Sequence, residues 1–376
     1  MRISPLNHLN VPVSAGGRQL LDLVFKTGGI SQAALTRQLG LAQPTVARLL
    51  QGFVAAGLIR LDARKVDRPG HPSATARIVP DFAFSLGAAV LSDAVSLSLL
   101  DCAGGLVASR RTALPEPSRA AVIAALTQFR DELFTQADVD PARVLGLGVG
   151  ISAFFTGEGG QIAGPPTLDD WTGCEPVAVL KEALGLPVII ENDGAAGAVG
   201  ESLFGIGRTI DDFAYLHLTT GFGGGIISDR RLFRGARGNA GEFGGIWTIG
   251  RMGYPSLHRL LDLVNDAGGT FTTVEEMLPA TTAVTAGVDR WLDEAAPAFS
   301  TLCAMLSYTI DPTAIVIGGR LPAMIVDRLI DRIAIPRAPN RRDLAPPVPR
   351  VVRSDIVGDA VALGAAVMPI QRAFLA

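Results

Sequence analysis

Short apolar segments recur along the chain beyond residue 80, and longer amphipathic stretches separate them. The strand candidates span residues 84–90, 96–100, 145–149, 188–190, 214–218, 225–227 and 314–317. Helix candidates between them include residues 119–134 and 176–184. Strands that alternate with helices favour a sheet with helices packed on its faces, so this part of the chain is predicted to be α/β.

The charge of the chain is unevenly distributed. Residues 1–80 hold ten Lys and Arg against three Asp and Glu, a balance of +7, whereas the remaining residues hold 23 against 33, a balance of −10. A basic segment on an acidic body is typical of a nucleic-acid-binding head joined to a domain with another task. A solvated basic tail is the alternative that the charge alone leaves open.

The apolar pattern of the basic segment favours a folded domain over a tail. Residues 20–24 carry the apolar side of a first helix, which is predicted to end at Gly28. Ser31 can cap a second helix that ends at Gly40, and Pro44 suits the first turn of a third, where its missing N–H costs nothing.

Two strand candidates, at residues 58–61 and 74–79, follow the third helix. Three helices followed by a two-stranded hairpin form a winged helix-turn-helix, which we assign to residues 1–80. In such a fold the third helix enters the major groove of DNA.

Side chains of the third helix and of the wing loop are candidates for DNA contact. Gln43 can pair with an adenine edge, Thr45 lies on the same outer face, and Arg48 can bind guanine or a phosphate. Arg64 and Arg68 lie in a basic loop with two prolines, which suits a narrow minor groove. Ordinary loop charge is the alternative for these two arginines.

Several motifs appear in a fixed order along the whole chain. They are LLDL, ISQAAL and GLAQPTV in the head, and IENDGAAGAVGE, TTGFGGG, GARGNAGE, IVIGG and GDAVALGAA in the body. With them the chain resembles the ROK family (repressors, open reading frames and kinases), in particular its transcriptional regulators. The resemblance implies an actin-like, ribonuclease-H-like two-lobed sugar-kinase fold for residues 81–376, which would bind a ligand and dimerise.

The phosphate-binding hairpin of ROK kinases is altered in this chain. The kinases carry Asp-x-Gly-Gly-Thr there, with an acid that supports magnesium and glycines that let backbone N–H groups hold phosphate. Here Ala89 replaces the acid, Leu91 and Ser92 replace the glycines, and Asp93 replaces the threonine. We expect the bulk of Leu91 and the charge of Asp93 to repel a polyphosphate, so the chain is predicted not to be an enzyme. The glycines of residues 221–225 survive, and we interpret them as a tight strand turn.

The zinc site of the family is also missing. ROK proteins often bind structural zinc with a histidine after Glu-x-Gly and a cluster of three cysteines. Here Gly245 stands at the histidine position after Glu242, and residues 250–258 contain no cysteine. We expect neither a metal nor a cofactor.

The sugar-facing residues of the family are partly retained. Asn192 and Asp193 match its Asn–Asp pair, in which the aspartate is the catalytic base of the kinases, and a carboxamide beside a carboxylate can bind adjacent hydroxyls. Glu242 matches a sugar-contacting glutamate, and His258 falls near a further one. A strand-end turn or helix cap without a ligand is the alternative for Asn192 and Asp193. Trp171 could stack on a sugar or close a lobe.

Composition limits where such a protein acts. A hydrophobic share of 48% excludes a largely disordered chain, and the longest near-apolar stretch, residues 144–155, is shorter than the ~20 residues of a membrane span. The three cysteines are far apart and odd in number, which argues against a disulfide framework. We expect a cytoplasmic protein with no membrane segment.

These observations predict a sequence-specific repressor of carbohydrate-metabolism genes. Its partners would be double-stranded DNA with an inverted repeat, a sugar effector in the cleft, and a second copy of the chain in a homodimer or higher oligomer. A sugar kinase with an appended head, and a constitutive DNA-binding protein whose body only dimerises, are the alternatives.

Overall fold

The computed structural model describes residues 11–62, 74–157, 159–250, 255–339, 342–356 and 359–376. These residues form a winged helix-turn-helix head and an α/β body of two lobes, as predicted, with a five-stranded sheet in each lobe. Within the same ranges, no helix has both the length and the apolar character needed to cross a membrane.

The described part of the head combines three helices with a small sheet in the order β1-β3-β2. Its elements are α1 (Ala15–Thr27), β1 (Ile30–Ser31), α2 (Gln32–Leu39), α3 (Gln43–Ala55), β2 (Ile59–Asp62) and β3 (Thr75–Ile78). The predicted boundaries are confirmed, because Gly28 and Gly40 end their helices at a left-handed φ of 64°. Ser31 Oγ accepts from the Ala34 N–H at 3.3 Å and caps α2. The two-residue β1 was not predicted.

The first lobe is built on a sheet in the order β10-β7-β4-β5-β6. Its elements are β4 (Phe84–Val90), β5 (Ala94–Asp101), β6 (Leu106–Ala113), α4 (Arg119–Gln136), β7 (Val144–Ile151), β8 (Phe154–Phe155), β9 (Ile162–Ala163), α5 (Pro176–Leu184), β10 (Val188–Asn192) and α6 (Asp193–Phe204). β7 and β10 are parallel, with Ile151 opposite Asn192. Because parallel strands end at the same edge, Ser152 and Asp193 leave the sheet side by side.

The second lobe is built on a sheet in the order β13-β12-β11-β14-β15. Its elements are β11 (Phe213–Leu218), β12 (Phe222–Ser228), β13 (Arg231–Leu232), α7 (Gly244–Ile249), α8 (Leu257–Asp266), α9 (Val274–Ala280), α10 (Val288–Thr309), β14 (Ala314–Gly319), α11 (Ala323–Arg332) and β15 (Arg350–Arg353). Trp247, Trp291 and Phe299 are fully buried in its core. The last helix, α12 (Ala360–Phe374), packs against α6 and against the first sheet.

The glycines of residues 221–225 have another role than the one predicted. None of them has a positive φ, so the interpretation as a turn that needs glycine is wrong. Instead, a Cβ at Gly224 would lie 2.1 Å from the carbonyl oxygen of Tyr215, and one at Gly225 would lie 3.0 Å from Cα of Ala195. At these two positions glycine is required by close packing of β12 against β11 and α6.

The head and the body share one apolar core. Leu21 of α1 and Ile370 of α12 belong to the same cluster of buried side chains. Arg18 of α1 donates hydrogen bonds of 3.0–3.4 Å to three carbonyls at the end of α12, those of Gln371, Arg372 and Leu375. Since this core crosses from the head into the body, the division into domains 1–80 and 81–376 stays a prediction.

Candidate functional site

A cleft of about 710 Å³ opens between the two lobes of the body. Its walls include all four side chains predicted to face a sugar: Asn192, Asp193, Glu242 and His258. Asn192 and Asp193 belong to the first lobe, whereas Glu242 and His258 belong to the second part of the body. The fold therefore brings together residues that are up to 66 positions apart in the sequence.

Asp193 begins α6 and is held at both carboxylate oxygens. Oδ1 accepts from the N–H of Gly194 at 2.8 Å, and Oδ2 accepts from the hydroxyl of Ser152. Only 7% of Asp193 is exposed. Ser152 was not a predicted site residue, although its position directly after β7, at the edge where β10 also ends, was a usable signal.

Asn192 caps α6 and faces the cleft at the same time. Its Oδ1 accepts from the Ala195 N–H at 3.2 Å, so the helix-cap alternative describes one half of the side chain. Its Nδ2 donates to the carbonyl of Ala153 at 3.2 Å and to Oε1 of Glu242 at 3.0 Å. The cap fixes the amide in the orientation that links both sides of the cleft.

Glu242 has a pKa raised to about 7. Burial by the surrounding protein is the larger cause, and the nearby Asp193 carboxylate is the second. By surface area Glu242 is still exposed to water inside the cleft, so protein limits its hydration without removing it. Near neutral pH its carboxyl group can therefore donate as well as accept a hydrogen bond.

His258 lies apart from this polar group. It is exposed in the first turn of α8 and lines the cleft from the second lobe, with no hydrogen bond to any described residue. Trp171 lies outside the cleft. It is fully buried in the first lobe, where its Nε1 donates to the carbonyl of Pro117 at 3.1 Å, so it closes the lobe.

The predicted DNA-reading residues of α3 lie on the surface of the head. Gln43 and Arg48 are exposed and Thr45 is half-buried. Arg48 forms no ion pair with a described residue, which leaves its guanidinium open to a base or phosphate. Arg64 and Arg68 lie outside the described residues.

Two family descriptions match the chain. Residues 92–255 match the ROK family, and residues 17–60 match a winged helix-turn-helix DNA-binding domain. The chain carries a ROK family domain. A ROK domain preceded by such a head is the layout of a ROK transcriptional regulator.

Relatives extend the similarity over the whole chain. The uncharacterized protein y4fQ of Sinorhizobium fredii is 28% identical over 365 residues, which cover 96% of this chain and 92% of that protein. The xylose repressor of Caldicellulosiruptor bescii is 26% identical over 226 residues, 60% of this chain but only 56% of the repressor. A crystal structure of a ROK family transcriptional regulator, a homolog of the E. coli MLC protein, has a TM-score of 0.68 at 21% identity and covers 98% of this chain and 97% of its own.

The observed structure of the altered hairpin differs from the predicted one at one residue, Leu91. Ala89 is fully buried in β4, and Asp93 lines the cleft as expected. Leu91, however, is only 4% exposed and packs in the core shared with the head. The hairpin turn, closed by a 2.9 Å bond from the Leu91 N–H to the Ala94 carbonyl, directs this side chain inward. The expectation that Leu91 blocks a phosphate was therefore wrong.

Asp93 instead takes part in a cross-lobe clasp, which we define as Asp93, Arg320 and Glu275. Arg320 follows β14 and donates to Asp93 Oδ2 at 2.6 Å, while its other nitrogen pairs with Glu275. Ser92 Oγ and Thr220 Oγ1 lie 2.5 Å apart across the same gap. The side chain of Arg320 is only 14% exposed and that of Asp93 25%, so water screens the pair weakly.

The clasp changes the reason for which this ROK body should reject a polyphosphate. The charge of Asp93 is balanced by Arg320. Repulsion by a free carboxylate is therefore not the main reason to expect that a polyphosphate is rejected. The guanidinium that could have bound phosphate is already bound by two carboxylates. Among the described residues, no three His, Cys, Asp or Glu side chains come together as a metal site.

Proposed function

We propose that this ROK protein is a repressor of carbohydrate-metabolism genes that binds an inverted-repeat operator as a homodimer and is controlled by a sugar in the cleft. The observation that carries the proposal is the polar group of Asn192, Asp193 and Glu242, in which Asn192 donates to Glu242, in a wide cleft whose phosphate end holds the clasp. Such a cleft can recognise a sugar without transferring a phosphate to it. As a regulator of genes, the protein would act in the cytoplasm.

The chemistry of the polar group matches adjacent hydroxyls of a sugar ring. Asp193 offers acceptor oxygens, and the carboxyl group of Glu242 can donate as well as accept near neutral pH, while the Asn192 amide, both of whose N–H groups are already donated, holds Glu242 in place. Each sugar hydroxyl is itself a donor and an acceptor, so this mixed set can satisfy two neighbouring hydroxyls. Ser152 fixes the Asp193 carboxylate before a ligand arrives, which lowers the entropic cost of binding.

The charges of the cleft favour an uncharged effector. The described residues that line it include the carboxyl groups of Asp193 and Glu242, and no Lys or Arg; a third carboxyl group, that of Asp93, is already paired with Arg320. A sugar phosphate would bring its negative charge into these walls without a cation to meet it. We therefore expect a neutral sugar to bind more tightly than its phosphate ester.

DNA recognition would rest on α3 and on two-fold symmetry. One exposed recognition helix per chain, with Gln43, Thr45 and Arg48 on its outer face, reads one half-site. Two copies on a two-fold axis read half-sites spaced by about one helical turn, ~10–10.5 base pairs, or its multiples. The xylose repressor relative supports both the repressor assignment and a sugar as effector.

The kinase alternative keeps one observation in its favour, since Asp193 stands where the family has its catalytic base. Two observations argue against it. The buried Ala89 replaces the acid of the phosphate hairpin, and Arg320 is already bound by Asp93 and Glu275. An ATP-turnover assay over a panel of sugars decides between the readings. We expect no turnover above background, and sustained sugar-dependent ADP release would overturn the proposal.

One experiment tests the sugar-controlled repressor directly. Purified protein is screened by thermal unfolding against neutral sugars and their phosphates, and the hits are added to an operator-binding titration. A sugar at 100 times its Kd should add about 2.7 kcal/mol to the free energy of unfolding, and it should change operator affinity. Operator binding that no sugar alters, without any thermal shift, would favour the constitutive DNA-binding alternative.

A further inference from the structure

Phe154 presents an aromatic side chain to the cleft from a tightly held backbone. The side chain is 47% exposed and lines the cleft. The neighbouring Phe155 exchanges two hydrogen bonds of 2.8 Å with the side chain of Asn239, one through its N–H and one through its carbonyl. On the other side, the Ala153 carbonyl accepts from Asn192. The backbone around Phe154 is therefore held by Asn239 on one side and, on the other, by Asn192 of the polar group.

The surroundings of Phe154 form an apolar wall. Ala163 lies opposite it in the β8–β9 pair, and the cleft is also lined here by three prolines, Pro115, Pro165 and Pro166. Proline rings and a short strand pair have little freedom to rearrange, so the wall is preformed. A large apolar side chain that is exposed on a rigid element stays in contact with water. A ligand that covers it removes this apolar surface from water, which favours binding.

The size of the cleft exceeds what one sugar ring needs. A hexose has twelve heavy atoms, and even a full water's share of ~30 Å³ for each would fill only about 360 Å³. The cleft measures about 710 Å³, so roughly half of it stays open beside a ring held by Asn192 and Asp193.

We propose that Phe154 and its apolar wall form a second subsite, which stacks on the second ring of a neutral disaccharide. This inference rests on the proposed function, because it assumes that the first ring binds at Asn192, Asp193 and Glu242. The face of a pyranose carries C–H groups that pack on an aromatic ring, while its hydroxyls point outward to water. The absence of Lys and Arg from the described lining residues fits an uncharged second ring.

The test uses matched pairs of a monosaccharide and a disaccharide: D-xylose with xylobiose, and D-glucose with cellobiose and with maltose. Affinities are measured by titration calorimetry on the full chain. For the pair that binds, we expect the disaccharide to bind at least about tenfold more tightly than the monosaccharide, as recovered apolar burial predicts. Phe154→Ala should abolish most of this advantage and change the monosaccharide affinity less than about threefold.

Two further variants keep the result interpretable. Phe233→Ala removes a side chain of similar exposure, 52%, that does not line the cleft, and it should leave both affinities unchanged. Phe154→Leu keeps apolar bulk without the ring and should give an intermediate loss, which guards against misfolding of the alanine variant.

Two outcomes would overturn the second subsite while leaving the proposed function intact. One is equal affinity for a monosaccharide and its disaccharide. The other is an equal loss for both in Phe154→Ala, which would place Phe154 on the first ring. Failure of every sugar to bind the wild-type protein would instead reject the proposed function together with the subsite.

Discussion

The two ends of the cleft differ in what their polar side chains are bonded to. At the sugar end, Asn192 holds Glu242, while Ser152 and the start of α6 hold Asp193, and the unused capacity of these two carboxyl groups faces the cleft. At the phosphate end, Arg320 is bound by Asp93 and Glu275 from opposite lobes. At one end the polar side chains face a cleft that can hold a ligand, and at the other the arginine is already bound by carboxylates of the chain, although Asp93 Oδ1 has no hydrogen-bond partner among the described residues.

Under the proposed function, this difference separates recognition from catalysis within one fold. A kinase needs both ends to bind ligands, because the phosphate must reach the sugar hydroxyl. The clasp joins the two lobes at the phosphate end without a nucleotide. Under the proposed function, occupancy of the sugar end is then the signal that the protein transmits. The variants below test whether the two ends behave independently.

The largest effect is expected at the sugar end. Asp193→Ala removes the carboxylate that we propose as the acceptor for sugar hydroxyls, which should cost about 1.5–3 kcal/mol, or roughly 10–150-fold in affinity for the best sugar of the thermal screen. Operator affinity without sugar should be preserved, because the head makes no contact with this residue. Titration calorimetry on both proteins checks the prediction, and equal affinities would show that Asp193 is only structural.

Asp193→Asn serves as the milder partner of that variant. It keeps one acceptor oxygen and should retain part of the response. If the sugar acts as inducer, Asp193→Ala would be a repressor that cannot be released in cells. If the sugar is a co-repressor, the same variant would fail to repress, so the phenotype also reports the sign of the switch.

The clasp should matter for stability but not for sugar binding. Arg320→Met leaves Asp93 without its cation, whereas Glu275 keeps Arg111 at 3.7 Å. We expect a loss of about 1–3 kcal/mol, between the ~0–1 of surface pairs and the ~3–5 of buried ones. Sugar affinity should change less than about threefold if the ends are independent. Urea unfolding and calorimetry measure the two quantities.

A matched control comes from an ion pair on the surface of the second lobe, to which Arg320 also belongs. Arg259 bonds Glu294 through two contacts of 2.8 Å, but both side chains are more than a third exposed. Arg259→Met should therefore lower the free energy of unfolding much less than Arg320→Met does. Equal losses for the two arginine variants would remove the special role of the clasp, and a large drop in sugar affinity for Arg320→Met would show that the ends are coupled.

The sugar end also has a physical route to the head. Asn192 and Asp193 begin α6, and α6 contacts α12 so closely that a Cβ at Gly364 would lie 1.9 Å from the Ala196 carbonyl. Arg18 then ties the end of α12 to α1. A shift at the start of α6 can reach the head through these packed helices.

Arg18→Met tests this route. We expect the factor by which sugar changes operator affinity to fall about three- to tenfold, a part of the usual 1–3 kcal/mol of coupling. Sugar affinity without DNA and operator affinity without sugar should stay near wild type. Gln19→Met, at an exposed neighbouring position of α1, is the control. Unchanged coupling in Arg18→Met would exclude this contact as part of the route.

The sequence predicted what depends on local pattern or on the family motifs. The caps at Gly28 and Ser31 follow from residue type, and the motif around Asn192 and Asp193 located one wall of the cleft. The strand β6 was missed because its exposed edge position, with Arg110 and Arg111, gives it no apolar run.

Contacts between distant residues were not predictable in the same way. The partners Asp93 and Arg320 are 227 positions apart, and nothing in either local sequence marks them as a pair. Leu91 illustrates the same limit, since its direction depends on a hairpin turn that sequence alignment does not describe. Phe154 could be found only once the cleft and its exposure were known.

The smallest expected effect is a pH dependence that belongs to the sugar end alone. Glu242 has a folded-state pKa of about 7 against an ordinary value of 4.5, so the folded protein binds this proton more tightly than the unfolded chain. The resulting stabilisation is fully present below pH 4.5 and is lost as the pH rises towards 7 and above, when the carboxylate ionises beside Asp193.

Glu242→Gln has no proton to lose. From pH 5 to 8 (roughly the titration range) wild type should therefore lose stability relative to the Gln variant, by a small amount because water in the cleft screens the charge. Urea unfolding of both proteins across this range measures the difference. Parallel curves would mean that Glu242 ionises as freely in the folded protein as in the unfolded chain, and that the sugar end is better hydrated than its packing indicates.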